Sequence, residues 1–196
     1  GKNRLEVVKI LVEDPKININ IKDSDGYSAL VYCKDKEIAT VLLESGKLDI
    51  QDDIVFNKAC QFGSIAFVES LLKLLDSSVL NHADPKNFGM TGLHWACNNK
   101  DRLEVVKLLV EDPKIDINIK DSKGYSALVY CKYDKEIATV LLESGKLDIQ
   151  DGIVFNKACH FGSVAIVESL LKSLDSSVLN HADPKNDGKT ELHLAC

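Results

Sequence analysis

The feature that most constrains this chain is that it repeats itself. The stretch RLEVVKILVEDPK beginning at Arg4 returns as RLEVVKLLVEDPK beginning at Arg102, and HADPKN beginning at His82 returns at His181. The first shift is 98 residues and the second 99, so one residue has been inserted between them, near Tyr133. Residues 3–32 and 101–130 differ at four of 30 positions, and residues 35–97 and 134–196 at nine of 63. A direct duplication of this kind marks a chain built by stacking one supersecondary unit on the next, each burying its apolar face against its neighbours.

The duplicated block divides again into three sub-units, opening at Gly26, Asp53 and Gly89, each with a turn, two short helical stretches and an extended return. In the third, Thr91 begins a short run whose apolar positions are Leu93, Trp95, Ala96 and Cys97. LEVVKLLVED then sets Leu103, Val106, Leu109 and Val110 on one helical face. Asp101 and Glu104 have the spacing of a capping box, in which the first side chain accepts from an orphan helix N–H and the glutamate reaches back. Pro113 ends the helix because it cannot continue the hydrogen-bond ladder. In KIDINIK, Ile115, Ile117 and Ile119 alternate with polar residues, an extended period, and Asp121 to Gly124 is turn chemistry.

Composition narrows the function classes. With 45% hydrophobic and 28% charged residues the chain has material for a core, and no apolar run approaches the roughly 18 residues of a membrane helix. The net charge of −6 is spread along the sequence and no Lys/Arg cluster could neutralise a row of phosphates, so neither membrane insertion nor nucleic-acid binding is expected. Cys33, Cys60, Cys97, Cys131, Cys159 and Cys196 each close a short apolar stretch, never as CxxC and never with a histidine at ligand spacing. They are expected to be buried free thiols, which points to a reducing compartment and a cytoplasmic setting.

GMTGLHWAC, LEVVKLLVED and IDINIKDSKGYSALVY, taken in order, resemble the ankyrin repeat. Its hallmarks are a Gly-x-Thr-Pro-Leu-His-x-Ala opening, a Val-Val-x-Leu-Leu-Leu second helix and an Asp-x-x-Gly hairpin turn. The likeness covers essentially the whole chain. The motif's proline is replaced by Ala29, Gly92, Ala127 and Glu191, and its histidine survives only as His94 and His193. The units opening at Gly26 and Gly124 are short between their helices, and the one at Asp53 is drawn out near SSVLNHADPKN and lacks the turn signature. The resemblance implies an all-α solenoid of helix-turn-helix units joined by β-hairpin-like loops. On this pattern residues 1–24 are the second half of a repeat, 25–52, 53–87, 88–122, 123–151 and 152–186 are repeats, and 187–196 is the first half of another. The chain then reads as an excerpt of a longer array. Each end leaves an apolar face to cover, Leu5, Val8 and Leu11 at one and Leu192 and Leu194 at the other, and head-to-tail contact between copies follows as an expectation.

No catalytic constellation emerges. DGKT at Asp187 to Thr190 lacks the first glycine of a phosphate loop, and DSDG at Asp23 to Gly26 would put Ile21 at the first ligand position of a calcium loop. In the ankyrin pattern His94 and His193 are structural hydrogen-bonders tying one repeat to the next. His82 and His181 each stand between an asparagine and an alanine in a loop-like stretch, and the Cys–His neighbours Cys159/His160 and His193/Cys196 lack zinc-ligand spacing. No cofactor and no metal is called for.

The family resemblance implies non-catalytic protein binding on a concave face made by hairpin tips and first helices. The matching tips here are Asp25 and Tyr27, Phe88 and Met90, Lys123 and Tyr125, and Asp187 and Lys189. Residues trailing the first helices are Lys34, Gln61 and Phe62, Asn98 and Asn99, Lys132 and Tyr133, and His160 and Phe161. Of the nine differences between residues 35–97 and their copy, four crowd into eight positions: Phe88/Asp187, Met90/Lys189, Gly92/Glu191 and Trp95/Leu194. Phe88, Met90 and Trp95 therefore stand out as an apolar cluster of the type protein interfaces favour. The plainer alternative is that Trp95 packs between repeats and Phe88 is covered by its neighbour. Two further functions stay open, a targeting arm of a larger enzyme, channel or effector, and a spacer in a longer array.

Overall fold

Helices of one to three turns are marginal alone in water, so this chain stabilises them by packing apolar faces against one another. The computed structural model describes residues 2–180 and 190, other than 25, 34, 50–52, 64, 132–133 and 163. In chain order the helices are α1 (Lys2–Glu13), α2 (Lys36–Leu43), α3 (Asp53–Phe62), α4 (Ile65–Leu74), α5 (Ser77–Leu80), α6 (Gly92–Cys97), α7 (Leu103–Glu111), α8 (Ala127–Tyr130), α9 (Lys135–Glu143), α10 (Gly152–His160), α11 (Val164–Ser173) and α12 (Ser176–Leu179). Single 3-10 turns occupy Ala29–Tyr32 and Pro85–Asn87. Among the described residues there is no strand, and isolated bridges at Asp84–Met90 and Lys120–Ser126 close the hairpin-like tips. The fold is the all-α one expected, and among the described residues no helix is long and apolar enough to cross a membrane.

Two layers run along the molecule. The 3-10 turn at 29–32, α3, α6, α8 and α10 touch in succession, and behind them α1 packs on α2, α4 on α7 and α7 on α9. Between the layers lies one continuous core that includes Leu30, Phe56, Leu71, Leu109, Leu128 and Leu141. The closest approach is α3 against α6, where a Cβ on Gly92 would stand 2.9 Å from the Cys60 sulfur and 3.0 Å from the Phe56 ring. That crowding explains a glycine at the position the repeat motif gives to proline. Cys60, Cys97 and Cys131 are buried free thiols, Cys33 and Cys159 are partly buried, and Cys196 lies outside the described residues. Burial pushes the Cys60 and Cys97 thiols well above their ordinary range, which keeps them inert.

The returns are pinned by side chains that reach the backbone of the neighbouring unit. Asn20 donates to the Lys47 carbonyl at 2.7 Å and accepts from the Asp49 N–H at 2.9 Å. Asn81 makes the same pair with Lys114 and Asp116, at 2.7 and 2.9 Å, and Asn118 with Lys146 and Asp148, at 2.9 and 2.7 Å. The same lysines cap helices of the preceding unit. Lys47 donates to the Val12 and Asp14 carbonyls, Lys114 to Leu72 and Leu75, and Lys146 to Val110. Carbonyls at a helix C-terminus lack intrahelical partners and carry partial negative charge, so an ammonium satisfies both needs.

Three local expectations need correction. Asp101 and Glu104 form no capping box: Asp101 is left-handed at φ 61°, Arg102 is the N-cap, and Glu104 pairs with Lys107 at 2.8 Å. The capping arrangement sits at α6 instead, between Thr91 and His94. KIDINIK forms turns closed by the Lys120–Ser126 bridge, with Ile115 and Ile117 buried; its alternation reflects alternate burial without a ladder. On α7 the buried face is Val105, Val106, Leu109 and Val110, and Leu103 is half-buried.

Candidate functional site

The hairpin tips are built by an aspartate that folds the chain around itself. Asp121 accepts from the N–H groups of Lys123 and Tyr125 at 2.9 and 2.8 Å and from the Tyr130 hydroxyl at 2.5 Å, while Gly124 turns the chain at φ 77°. Burial raises the Asp121 pKa, but the Tyr130 hydroxyl and the two N–H groups outweigh it and hold the carboxyl below its usual value. Burial and the same carboxylate push Tyr130 up to about 12. Asp23 repeats the arrangement with the Tyr27 N–H at 2.9 Å and the Tyr32 hydroxyl at 2.5 Å.

The tip at 84–90 is made differently. Asp84 bonds the Lys86 N–H at 2.9 Å and the Asn87 amide at 2.6 Å, and Phe88 then enters the left-handed region at φ 56°. Its carbonyl is gripped by the next tip, where Ser122 donates through its N–H at 2.8 Å and its hydroxyl at 2.7 Å. The Phe88 side chain is 61% exposed, with the Lys123 ammonium 4.9 Å from its ring centroid. One unit back, Lys86 stands 4.1 Å from the Tyr27 centroid. The tips therefore present aromatic faces bridged by lysines, a pattern of cation–π contacts.

Below the tips, the first-helix layer brings Gln61, Trp95 and Asn99 together. Lys58 donates to Gln61 at 2.9 Å and lies 5.7 Å from the half-buried Trp95 ring, and Asn99 donates to the Trp95 carbonyl at 2.7 Å. Burial lowers the Lys58 pKa, with Asp84 pulling the other way. Asn98 and Asn99 border a groove of about 650 Å³ that continues to Tyr130 and Asp134. His94 ties the layer to the next tip. Its Nε2 donates to the Tyr125 carbonyl at 3.0 Å, which leaves Nδ1 to accept from the Thr91 N–H at 3.2 Å and its hydroxyl at 2.8 Å. The ring is 1% exposed, and burial lowers its pKa.

Not every candidate reaches the surface. Met90 is 5% exposed and Phe62 and Phe161 are both 7% exposed. The expected cluster of Phe88, Met90 and Trp95 therefore splits: Phe88 points out, Met90 points in, and Trp95 is half-covered between units. The reason is local, since the Asp84–Met90 bridge turns the chain back into the core directly after the tip. Tyr27, Tyr125, Lys123 and His160 retain exposed surface, His160 edge-on to Phe161 at 5.0 Å. Asp25, Tyr133, Asp187 and Lys189 lie outside the described residues, as do His193 and Leu194. Sequence reasoning missed Lys58, Lys86 and Ser122. The signal for Lys86 was its place two residues before Phe88 in a tip; nothing in the sequence marks Lys58 or Ser122.

A family model described as ankyrin repeats (3 copies) matches residues 56–151. Among curated proteins, ankyrin repeat protein nuc-2 of Neurospora crassa is 33% identical over 149 residues, 69% of this chain and 13% of that protein. Palmitoyltransferase AKR1 of Naumovozyma castellii is 45% identical over 65 residues, 33% of this chain and 8% of that protein. Putative ankyrin repeat protein FPV034 of Fowlpox virus is 30% identical over 135 residues, 66% of this chain and 23% of that protein. The chain spans less than a quarter of the length of each of these relatives.

Proposed function

Since residues 56–151 belong to the ankyrin-repeat family, we propose that this chain is a non-catalytic scaffold that binds a protein partner across its hairpin tips and first-helix layer, the concave side of such an array. On this reading it is one array with units at 25–52, 53–87, 88–122, 123–151 and 152–186, working in a reducing compartment that suits its buried thiols.

The observation that carries the proposal is Phe88. Left-handed backbone costs an ordinary L-residue roughly 1–2 kcal/mol, and an aromatic residue 61% exposed leaves most of its own burial unmade. Aspartate, which the duplicate carries at position 187, tolerates this backbone far better. A strained, largely exposed aromatic gripped from behind by Ser122 suits a recognition residue, because a partner that covers the ring adds the burial that the free chain leaves unmade. Phe88, Tyr27, Lys86, Lys123 and Trp95 are the residues assigned to contact.

Affinity capture from host lysate by the wild-type chain and by Phe88→Asp, with partners read by mass spectrometry, tests it. A protein recovered by the first and lost by the second supports binding through this tip; identical recoveries from equally stable chains refute it. One observation favours a second reading: a duplication so close to complete suits a spacer in a longer array, for which both lists would be empty.

A further inference from the structure

We propose that Lys58 and its neighbours form a subsite for a side-chain carboxylate, so that the partner presents an acidic segment, a role that rests on this face being the protein-binding one. Lys58 follows Asn57, whose side-chain amide donates to the His82 carbonyl at 3.3 Å and holds α3 against the tip at 84–90. The Lys58 side chain is half-buried; its ammonium donates to the Gln61 side chain at 2.9 Å and lies 5.7 Å from the Trp95 ring centroid. Among the described residues no carboxylate comes within ion-pairing distance of it. An ammonium carries three donors, and the neutral Gln61 oxygen satisfies one of them. A cation drawn this far from water without a counter-ion is costly, and burial accordingly lowers its pKa against the pull of Asp84 and Cys33.

The surrounding charges favour an anion. Segments 29–32, 54–62, 92–97, 127–130 and 152–160 of the first-helix layer contain no Asp or Glu, and their lysines are Lys58 and Lys157. The tip aspartates Asp23, Asp84 and Asp121 each accept from N–H groups of their own turn, while Lys86 and Lys123 are exposed beside the Tyr27 and Phe88 rings. The exposed glutamates Glu37, Glu69, Glu104, Glu136 and Glu168 stand instead on α2, α4, α7, α9 and α11 of the layer behind. Packed helices lie about 8–10 Å apart and the Debye length at physiological salt is about 8 Å, so those charges are largely screened from the front. A side-chain carboxylate suits this group better than a phosphate backbone does, because one half-buried ammonium neutralises one charge and a net charge of −6 repels a polyanion. The duplicate keeps the lysine as Lys157 but has His160 for Gln61 and Leu194 for Trp95, so the full set occurs once in this chain.

Trp95 is the single tryptophan, so its emission reports on the subsite without a label. The test titrates the chain with an acetylated, amidated hexaglutamate peptide, with the matching hexaglutamine peptide and with a thymidine oligonucleotide. Hexaglutamate is expected to change Trp95 emission to saturation, hexaglutamine to leave it unchanged, and added salt to weaken the response. Lys58→Gln, checked for folding by circular dichroism, is expected to weaken hexaglutamate binding about 10- to 100-fold, the range for one charge-assisted hydrogen bond. No response to hexaglutamate, an equal response to hexaglutamine, a response at least as strong to the oligonucleotide, or unchanged affinity in Lys58→Gln overturns the proposal. Should Lys58→Gln fail to fold, the contrast between the two peptides and its salt dependence decide the matter with the wild-type chain. A partner captured from lysate by the wild type and lost by Phe88→Asp, together with Trp95 emission indifferent to hexaglutamate, would leave protein binding standing and refute the acidic segment.

Discussion

Replacing Phe88 by aspartate separates recognition from stability most sharply. Aspartate recovers part of the roughly 1–2 kcal/mol that left-handed backbone costs phenylalanine. Against this, with 61% of the side chain exposed, only about two-fifths of the roughly 1.5–3 kcal/mol available from burying a large apolar side chain is lost, or about 1 kcal/mol. The Lys123 contact at 4.9 Å contributes roughly 0.5–1 kcal/mol, and an aspartate facing the same ammonium returns a similar amount. The net change is within about 1 kcal/mol of zero, a shift in Tm of no more than roughly 2–4 °C for a chain this size. Urea unfolding followed by circular dichroism, with the slope unchanged, measures it. Met90→Ala, two residues on and 5% exposed, is the internal contrast and is expected to cost about 2–5 kcal/mol. If Phe88→Asp costs more than about 3 kcal/mol, Phe88 is a packing residue and the assignment of this tip to binding fails.

Asn81→Ala removes bonds to Ser77, Lys114 and Asp116 and should cost about 2–3 kcal/mol in urea unfolding; a loss below about 0.5 kcal/mol would mean the asparagine ladder does not hold the units together. Gly92→Ala places a Cβ 2.9 Å from the Cys60 sulfur between residues that cannot move aside, and a melting curve should register about 1–3 kcal/mol of overpacking. Burial lowers the folded-state pKa of His94, so below about 6.5 the unfolded chain binds more protons than the folded one. Its contribution is therefore complete above about 6.5 and declines as pH falls through that value toward the folded pKa. Urea midpoints taken on either side should show this slope, and His94→Gln should flatten it.

The period, the fold class and the role of His94 were legible because each depends on residues that recur in register: apolar positions at helical spacing, Gly124 in a tip, a histidine three residues after a threonine. What escaped was decided by tertiary neighbours. Asp101 has the spacing of a cap, but a left-handed turn carries it out of that position. Met90 looks like Phe88's partner, yet the left-handed backbone at Phe88 and the Asp84–Met90 bridge after it send one outward and the other inward. Val7 and Val105 have identical flanking sequence through LEVVK, and one is surface where the other is core. No local pattern separates that pair, because burial depends on which unit lies alongside.

The contacts that join units explain why the two copies could diverge at the tips. Among the described residues, Asn20, Asn81 and Asn118 reach the neighbouring unit through its main-chain atoms, and Lys47, Lys114 and Lys146 reach it through carbonyls. Ser122 likewise grips Phe88 through its carbonyl and not its ring. Bonds addressed to the backbone are indifferent to the side chains displayed above them, so Phe88 can become aspartate without loosening the frame. Met90 and Gly92 do not share that freedom, because their own side-chain volumes fill or vacate space in the core. The copy nonetheless carries Lys189 and Glu191 at those two positions. In the surroundings of residues 84–97, substitution is thus cheap at the outward Phe88, the residue assigned to recognition, and costly at Met90 and Gly92.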